Sequence, residues 1–226
     1  MRIYSIHPMS KYPCIFKTAD VVDSNAFYQE FLQTCKDELT PAYSGSDAWT
    51  GVRIFDLKGT NRIAELPYLK SYLEQQFGME NVAMVNYYNM APRSIQHAHR
   101  DQSGNLLFGI SRLHIPLVTN PHAFLDIEHI PYHLKTNELW SLDTSGIHAA
   151  RNDGDENRVH LVIDVKRAAT TAHYFPAMNM AVRLHLTKFV VIMGWKLLRD
   201  TVTRPATVLD RLGYIARMVG RRLKVG

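Results

Sequence analysis

Histidine, aspartate and arginine are concentrated in two stretches near the middle of this 226-residue chain. The first reads Gln-His-Ala-His-Arg-Asp over residues 96–101, and the second contains His148 and continues to Arg158. Alternate residues of a strand point to the same face, so His99 and Asp101 can converge on one point that His148 completes. Two imidazoles and one carboxylate that leave open positions on the metal are the ligand set of non-haem Fe(II) sites. The spacing therefore predicts a metal centre.

Arg158 stands at the start of an apolar segment, Val159–Val165, that has the composition of a buried strand. A guanidinium that enters a protein core is costly unless an anion pairs with it. Its planar fork is suited to holding a carboxylate through two hydrogen bonds. We therefore expect Arg158 to bind a carboxylate close to the candidate metal ligands.

Other interpretations of the same residues remain open. His97 and His99 have the spacing of zinc or manganese ligands in cupins, but no Glu follows closely, since the next acidic residue after Asp101 is Asp126. The lack of a general-base Glu also disfavours a zinc hydrolase or isomerase. His97 shares strand parity with His99, and an inward or a surface position is about equally compatible with that parity.

The composition excludes several classes of protein. Hydrophobic residues make up 46% and charged residues 21% of the chain, as in ordinary globular proteins with a core. The two cysteines, Cys14 and Cys35, are too few for a disulfide framework and are expected to be buried apolar residues. There is no signal-peptide pattern and no run of roughly 20 apolar residues, so we expect a cytoplasmic protein.

Charge is distributed unevenly along the chain. Residues 1–166 contain 15 Lys and Arg against 19 Asp and Glu, a net charge of −4. Residues 167–226 contain 11 Lys and Arg against 2 Asp, a net charge of +9, and the two parts together give the net +5 of the chain. This difference predicts two units. Residues 1–170 would form the main domain, including its N-terminal helices, and residues 171–226 a basic helical extension that packs on it or binds a partner.

Periodicity identifies the elements that must position these side chains. An amphipathic helix is predicted after an N-cap at Asp23 or Ser24, and its apolar stripe consists of Phe27, Phe31, Cys35 and Leu39. A strand is predicted over residues 52–57, and a second helix over residues 67–77 with Pro67 in its first turn. Both helices precede the region that carries the candidate ligands.

From residue 81 onward, short strands alternate with turns, which is typical of a sandwich or barrel. The predicted strands are Val82–Tyr88, Leu106–Gly109, Arg112–Val118, Ala123–Ile127, Leu139–Leu142 and Arg158–Val165. Strands this short favour a jelly roll in which two sheets enclose one site. The predicted fold class is α+β, mainly β with flanking helices: a double-stranded β-helix or cupin-like jelly roll with N-terminal helices and a C-terminal helical extension.

The extension is predicted to form two helices, over residues 176–199 and 206–224. The first is apolar nearly all round, so packing on the barrel or a homodimer interface would cover it. The second has an apolar face surrounded by basic residues, and such a helix can lie on an anionic membrane surface or dock an acidic partner such as a carrier protein. Nucleic acid is disfavoured, because only Tyr214 could stack among these charges.

The span from about residue 81 to residue 165 resembles the aspartyl/asparaginyl β-hydroxylase-like family of Fe(II)/2-oxoglutarate-dependent dioxygenases. The resemblance is carried by His99-Arg-Asp101, Arg112-Leu-His114-Ile-Pro-Leu, Trp140-Ser-Leu-Asp143, His148, Asn152 and Arg158-Val-His-Leu-Val-Ile-Asp164. It covers a little over a third of the chain and leaves both helical ends unexplained. It implies a catalytic iron and 2-oxoglutarate as cosubstrate.

The resemblance also implies roles for individual residues. His99, Asp101 and His148 would bind Fe(II), and Arg158 and His114 would bind the two carboxylates of 2-oxoglutarate. Related halogenases replace the carboxylate ligand with Gly or Ala, so the presence of Asp101 implies hydroxylation rather than chlorination.

Residues that face the substrate are harder to assign. By the resemblance, Arg112 would face either 2-oxoglutarate or the substrate. Tyr88 is a candidate substrate residue because it shares strand parity with Asn86. Trp140 is a further candidate, although a place in the core suits it better.

Two functions from different classes follow. The first is an Fe(II)/2-oxoglutarate-dependent hydroxylase that uses O₂ to oxidise an unactivated C–H of an amino-acid-like, carrier-tethered, peptidyl or lipid substrate, releasing succinate and CO₂. The alternative is a non-catalytic cupin-like binding or scaffold module whose basic C-terminal helix docks an acidic partner or a membrane surface, which would make the protein peripheral to a membrane. Iron-dependent succinate release distinguishes the two.

Overall fold

The computed structural model describes residues 12–42, 48–101 and 104–203. Within these ranges the helices are α1 Ser24–Thr34, α2 Pro67–Gln76 and α3 Met180–Thr203. The strands are β1 Ile15–Val21, β2 Thr40–Pro41, β3 Trp49–Asp56, β4 Val82–Met90, β5 Ser94–His99, β6 Ile110–Val118, β7 Ala123–Ile127, β8 Ile130–Tyr132, β9 Glu138–Leu142, β10 His148–Asn152 and β11 Arg158–Lys166.

The strands form two antiparallel sheets. The larger has the order β1-β9-β6-β11-β4-β3-β2, and the smaller has the order β5-β10-β7-β8. Chain neighbours are often not sheet neighbours, because the chain crosses between the sheets, as in a jelly roll. The helices α1 and α2 both precede the strands that form most of this barrel.

Strand β11 shows how the larger sheet serves two purposes. Its residues Arg158 to Val165 are all buried. Leu161 and Ile163 point to the apolar face, which α1 covers, and there the ring of Phe31 lies 4.9 Å from that of Tyr87. Alternate residues point the other way, so Arg158 and Asp164 lie on the opposite face. The sheet therefore has one apolar face under the helices and one polar face inside the barrel.

Several predicted boundaries were wrong. Helix α1 ends at Thr34, before the predicted end of its stripe at Leu39, because a short 3-10 turn follows it. The predicted strand Leu106–Gly109 is also a 3-10 turn, whose Leu107 amide donates to the side chain of Asn105. Strand β8 was not predicted, and β5 and β10 were treated as strands without bounds; all three are short or polar and owe their conformation to pairing with neighbours.

Helix α3 begins at Met180 rather than at the predicted Pro176. The side chain of Asn179 accepts a hydrogen bond from the Val182 amide and so caps the first turn. Val182 and Phe189 are buried. No helix in the described part of the chain is long and apolar enough to cross a membrane. The predicted helix over residues 206–224 lies outside the described residues, and the boundary near residue 170 stays a prediction.

Candidate metal centre

The three predicted metal ligands meet where β5 and β10 pair. His99 lies directly opposite His148 in the strand register, and the two imidazole centroids are 4.2 Å apart. Asp101 follows the end of β5, and its Oδ1 is 3.7 Å from Nε2 of His99. One ligand atom from each residue lies within 4.8 Å of the other two. The structure thus brings together the donor set of a facial triad.

Both imidazoles are oriented by backbone carbonyls. Nδ1 of His99 is 2.9 Å from the carbonyl oxygen of His97, and Nδ1 of His148 is 3.0 Å from that of Gly146. If each Nδ1 donates its hydrogen to that carbonyl, each Nε2 keeps a lone pair for a metal. Burial lowers the pKa of His148, although the nearby Asp101 carboxylate opposes this. A neutral imidazole is the form that binds metal.

Arg158 is a buried cation that has no paired carboxylate among the described residues. It forms no ion pair with any described residue, and its closest polar neighbour is Nδ1 of His160, 3.4 Å from Nη2. Desolvation alone lowers the pKa of Arg158 to about 10. His160 is itself buried, and its Nε2 has no hydrogen-bond partner within the described ranges. Among the described residues, a buried guanidinium without an acidic partner and a buried imidazole nitrogen without a hydrogen-bond partner favour an anion at this point.

Arg112 is held by two carboxylates instead of facing an open pocket. Nε and Nη2 donate to the two oxygens of Asp164 at 2.7 and 2.9 Å, and Nη1 donates to Asp101 Oδ2. Gly104 lies against this pair, since a Cβ there would be 2.9 Å from Asp164 Oδ2 and 3.0 Å from Arg112 Nη2. These contacts favour a different role from the expected binding of cosubstrate or substrate: Arg112 holds the metal-ligand carboxylate in place.

We expect Arg112→Met to weaken iron binding by roughly 10–100-fold, because the carboxylate of Asp101 loses the group that orients it. The same change should lower the free energy of unfolding by about 3–5 kcal/mol, since it leaves the buried carboxylate of Asp164 unpaired. Metal titration and urea denaturation of the metal-free protein measure the two effects.

The double variant Arg112→Met/Asp164→Leu separates these effects. Removing both buried charges should restore much of the stability without restoring iron affinity. Recovery of both properties, or of neither, would contradict the role given to Arg112.

The exposed position of His97 follows from an irregularity in β5. Gln96 pairs with Ala150 but His99 pairs with His148, so β5 has one more residue than β10 between these two pairs. Such a bulge breaks the alternation on which the parity argument relied. His97 is exposed and does not belong to the ligand cluster.

Tyr88 and Trp140 lie beside the inward-facing histidines of the larger sheet. Tyr88 pairs with His160 in the register of β4 and β11, and its hydroxyl accepts a hydrogen bond of 2.7 Å from Nδ2 of Asn86. Trp140 pairs with His114 in the register of β9 and β6. Both aromatic side chains are half-buried. Their assignment to the substrate stays a prediction.

A second group of potential ligands consists of Cys14, Asp143 and His185, also within 4.8 Å of one another. Nε2 of His185 donates to Asp143 Oδ2 at 2.9 Å, and the Ser145 hydroxyl donates to the same oxygen. The carboxylate of Asp143 is fully buried. Because these polar atoms satisfy one another, the group anchors α3, which contributes His185, to the loop before β10.

The same loop is tied to the segment that carries the other ligands. Arg100, between the two ligands of the first stretch, donates to the Ser145 carbonyl at 2.7 Å and pairs with Glu128 at 3.0 Å. Glu128 in turn accepts a hydrogen bond of 2.9 Å from the amide of Ile147, directly before His148. These contacts join the ligand-bearing ends of β5 and β10 and fix their separation.

Two residues of the site received no role from the sequence, Asp164 and His160. Both share parity with Arg158 on β11, so all three point into the barrel. A signal was available, because an aspartate within an otherwise apolar strand requires a buried partner. The identity of that partner, Arg112, depends on strand order.

A family model described as aspartyl/asparaginyl beta-hydroxylase matches residues 22–168, which is more than half of the chain. The chain belongs to this family. The match confirms the predicted family. It also extends the resemblance to α1 and α2, which the sequence motifs had left unexplained.

Individual relatives are more distant. L-proline cis-3-hydroxylase 1 from a Streptomyces species is 26% identical over 55% of this chain and 45% of that protein, so the chain spans about half the length of this curated relative. The structure of SnoK, a non-haem α-ketoglutarate-dependent carbocyclase from nogalamycin biosynthesis, matches with a TM-score of 0.53 at 11% identity over 77% of this chain and 95% of that one. The epimerase SnoN, in complex with Fe³⁺, α-ketoglutarate and nogalamycin RO, matches with a TM-score of 0.50 at 12% identity over 70% and 80%. At these identities the structural likeness concerns the fold alone, and it confirms the predicted jelly roll.

Proposed function

We propose that this protein is an Fe(II)/2-oxoglutarate-dependent hydroxylase in which His99, Asp101 and His148 hold the iron. Arg158 and His114 bind the cosubstrate. The reaction consumes O₂, hydroxylates an unactivated C–H of the substrate, and releases succinate and CO₂.

The observation that carries this proposal is a three-ligand site beside a buried cation that lacks an anion. The donor set, two imidazole nitrogens and one carboxylate oxygen, suits Fe(II) and leaves positions for other ligands. Arg158 and the unpartnered Nε2 of His160 provide donors for a carboxylate. A dicarboxylate that reaches from the metal to Arg158 can fill open metal positions with one carboxylate and pair with Arg158 through the other.

The protein's own contribution is orientation and charge. When bound, iron and 2-oxoglutarate supply the oxidative chemistry. Arg158 fixes one carboxylate of the cosubstrate, and Arg112 holds Asp101. Desolvation, and then the nearby Arg158, keep the pKa of His114 and of His160 well below the usual value. Both imidazoles therefore stay neutral, so they hydrogen-bond without adding to the positive charge around the cosubstrate.

We further propose a substrate bound against Tyr88 and Trp140, on the polar face of the larger sheet. An amino-acid-like molecule is the first class to test, since the curated relative is named as a proline hydroxylase. Carrier-tethered, peptidyl and lipid substrates are the other classes predicted from the sequence. The cytoplasmic location, the acidic partner and the homodimer stay predictions.

The decisive experiment is an anaerobic titration of the protein with Fe(II) and 2-oxoglutarate. We expect a weak metal-to-ligand charge-transfer band in the visible, as bidentate chelation of the cosubstrate produces. The band should be lost in Arg158→Ala. Arg151→Ala is the matched control, because this arginine lies on β10 and pairs with Asp126 outside the ligand set. A folded protein that binds iron without developing the band would favour the non-catalytic binding module.

A further inference from the structure

Helix α3 carries an apolar stripe on its exposed side. Met180, Leu184, Val191, Trp195 and Leu198 are 70%, 63%, 52%, 70% and 64% exposed. At 3.6 residues per turn these five side chains fall within an arc of about 60° and extend over about 27 Å. An exposed apolar surface of this length marks an interaction site.

Basic residues border the stripe, and acidic residues are almost absent. Arg183, Lys188 and Arg199 lie at its edges and are exposed; Lys188 pairs with Glu128 at 3.4 Å, and Arg199 pairs with Asp200 at 3.5 Å. The sole acidic residue in α3 is Asp200, which is buried. The sequence that follows the helix, residues 204–226, contains six Lys and Arg and one Asp. Helix α3 itself has four Lys and Arg against one Asp and therefore a net charge of +3.

We propose that this face of α3 docks on an anionic lipid bilayer. An apolar stripe flanked by Lys and Arg is the surface that lies in the interface plane of such a membrane. Trp195 provides the amphipathic ring favoured at the level of the headgroups. The long side chain of Arg183, which has no acidic partner among the described residues, can keep its charged end among the phosphates while its stem contacts the apolar region.

A second copy of the chain fits this face less well. Leu184, Val191 and Leu198 repeat every seven residues, as at one core position of a coiled coil, but the companion positions three residues later are Thr187, Gly194 and Thr201. A paired helix would also place basic residues opposite basic residues, and like charges across an interface are unfavourable. An anionic bilayer offers an apolar region for the stripe and negative charge for the basic residues beside it.

The test is co-sedimentation of the full chain with vesicles of phosphatidylcholine, with and without about 30% phosphatidylglycerol. We expect binding to the anionic vesicles only, and weaker binding when NaCl rises from about 0.1 to about 0.5 M. The variant Leu184→Ser/Trp195→Ser should bind about tenfold more weakly or worse, since it removes one large apolar contact from each half of the stripe.

Leu57→Ser is the matched control, because Leu57 is also exposed, at 46%, but lies far from α3 in sequence and on the turn after β3. It should bind anionic vesicles as the unmodified protein does. If the double variant unfolds, Leu198→Gln tests the same face with a single change.

Several results would overturn the proposal. If the double variant bound anionic vesicles as tightly as the unmodified protein, the apolar stripe would not be the membrane contact, and charge elsewhere on the protein would account for the binding. A protein that ignores vesicles but forms a dimer, which Trp195→Ser converts to a monomer, would identify a second copy as the occupant. Absence of both vesicle binding and dimerisation would remove the assigned role.

Discussion

Asp101→Ala is expected to abolish iron binding and succinate formation while the barrel stays folded. Asp101 supplies one of the three ligand atoms that lie within 4.8 Å of one another. Its loss should lower metal affinity by more than the roughly 10–100-fold that follows the loss of an outer partner. Arg112 keeps its two hydrogen bonds to Asp164, so the buried guanidinium remains paired and the fold survives.

Metal content and succinate release measure the two losses, and the thermal unfolding midpoint shows whether the fold is kept. Asp126→Ala is the matched control, because this carboxylate pairs with Arg151 in the smaller sheet and takes no part in the ligand set. A fully active Asp101→Ala protein with a full complement of iron would refute the assigned metal centre.

Arg158→Met is expected to act in opposite directions on binding and on stability. Without the guanidinium, 2-oxoglutarate loses a charge-assisted contact, so its affinity should fall by about 2–5 kcal/mol, or roughly 30-fold or more. The protein without cosubstrate should become more stable by about 1–3 kcal/mol, because a buried cation that has no acidic partner in residues 12–42, 48–101 and 104–203 is replaced by an apolar side chain of similar size. The lowered pKa of Arg158 has the same cause.

Isothermal titration with 2-oxoglutarate and urea denaturation of the cosubstrate-free protein give the two values. Arg112→Met serves as the contrast, since that guanidinium is paired and its removal should destabilise. If Arg158→Met destabilised the protein as strongly, Arg158 would have a partner within the fold and its role in binding an anion would be wrong.

The sequence by itself determined the types of residue in the site and part of their geometry. The spacing of His99 and Asp101, with the later His148, was sufficient to predict a metal centre. Arg158, at the start of an apolar strand, was sufficient to predict a binding site for a carboxylate near that centre. Such patterns are local or depend on residue chemistry, and a buried charge carries its requirement for a partner wherever the fold places it. The family match over residues 22–168 agrees with that interpretation.

Local patterns also failed where pairing between strands overrode them. The parity argument treated residues 97–101 as a regular strand, but β5 contains a bulge that turns His97 away from the site although its parity agrees with that of His99. A bulge arises from the register with β10, which lies about fifty residues further along the chain. No window of sequence around His97 contains that information.

Only the tertiary structure decided what Arg112 contacts and which face of helix α3 is exposed. Arg112 is adjacent to Asp164 because β6 and β11 are neighbours in the larger sheet, and its guanidinium donates to Asp101 as well. The helix is apolar on nearly every side, so its sequence does not distinguish the face that packs through Phe189 from the face that exposes Trp195. Which face is covered depends on how the helix is anchored through His185, and that is a property of the folded chain.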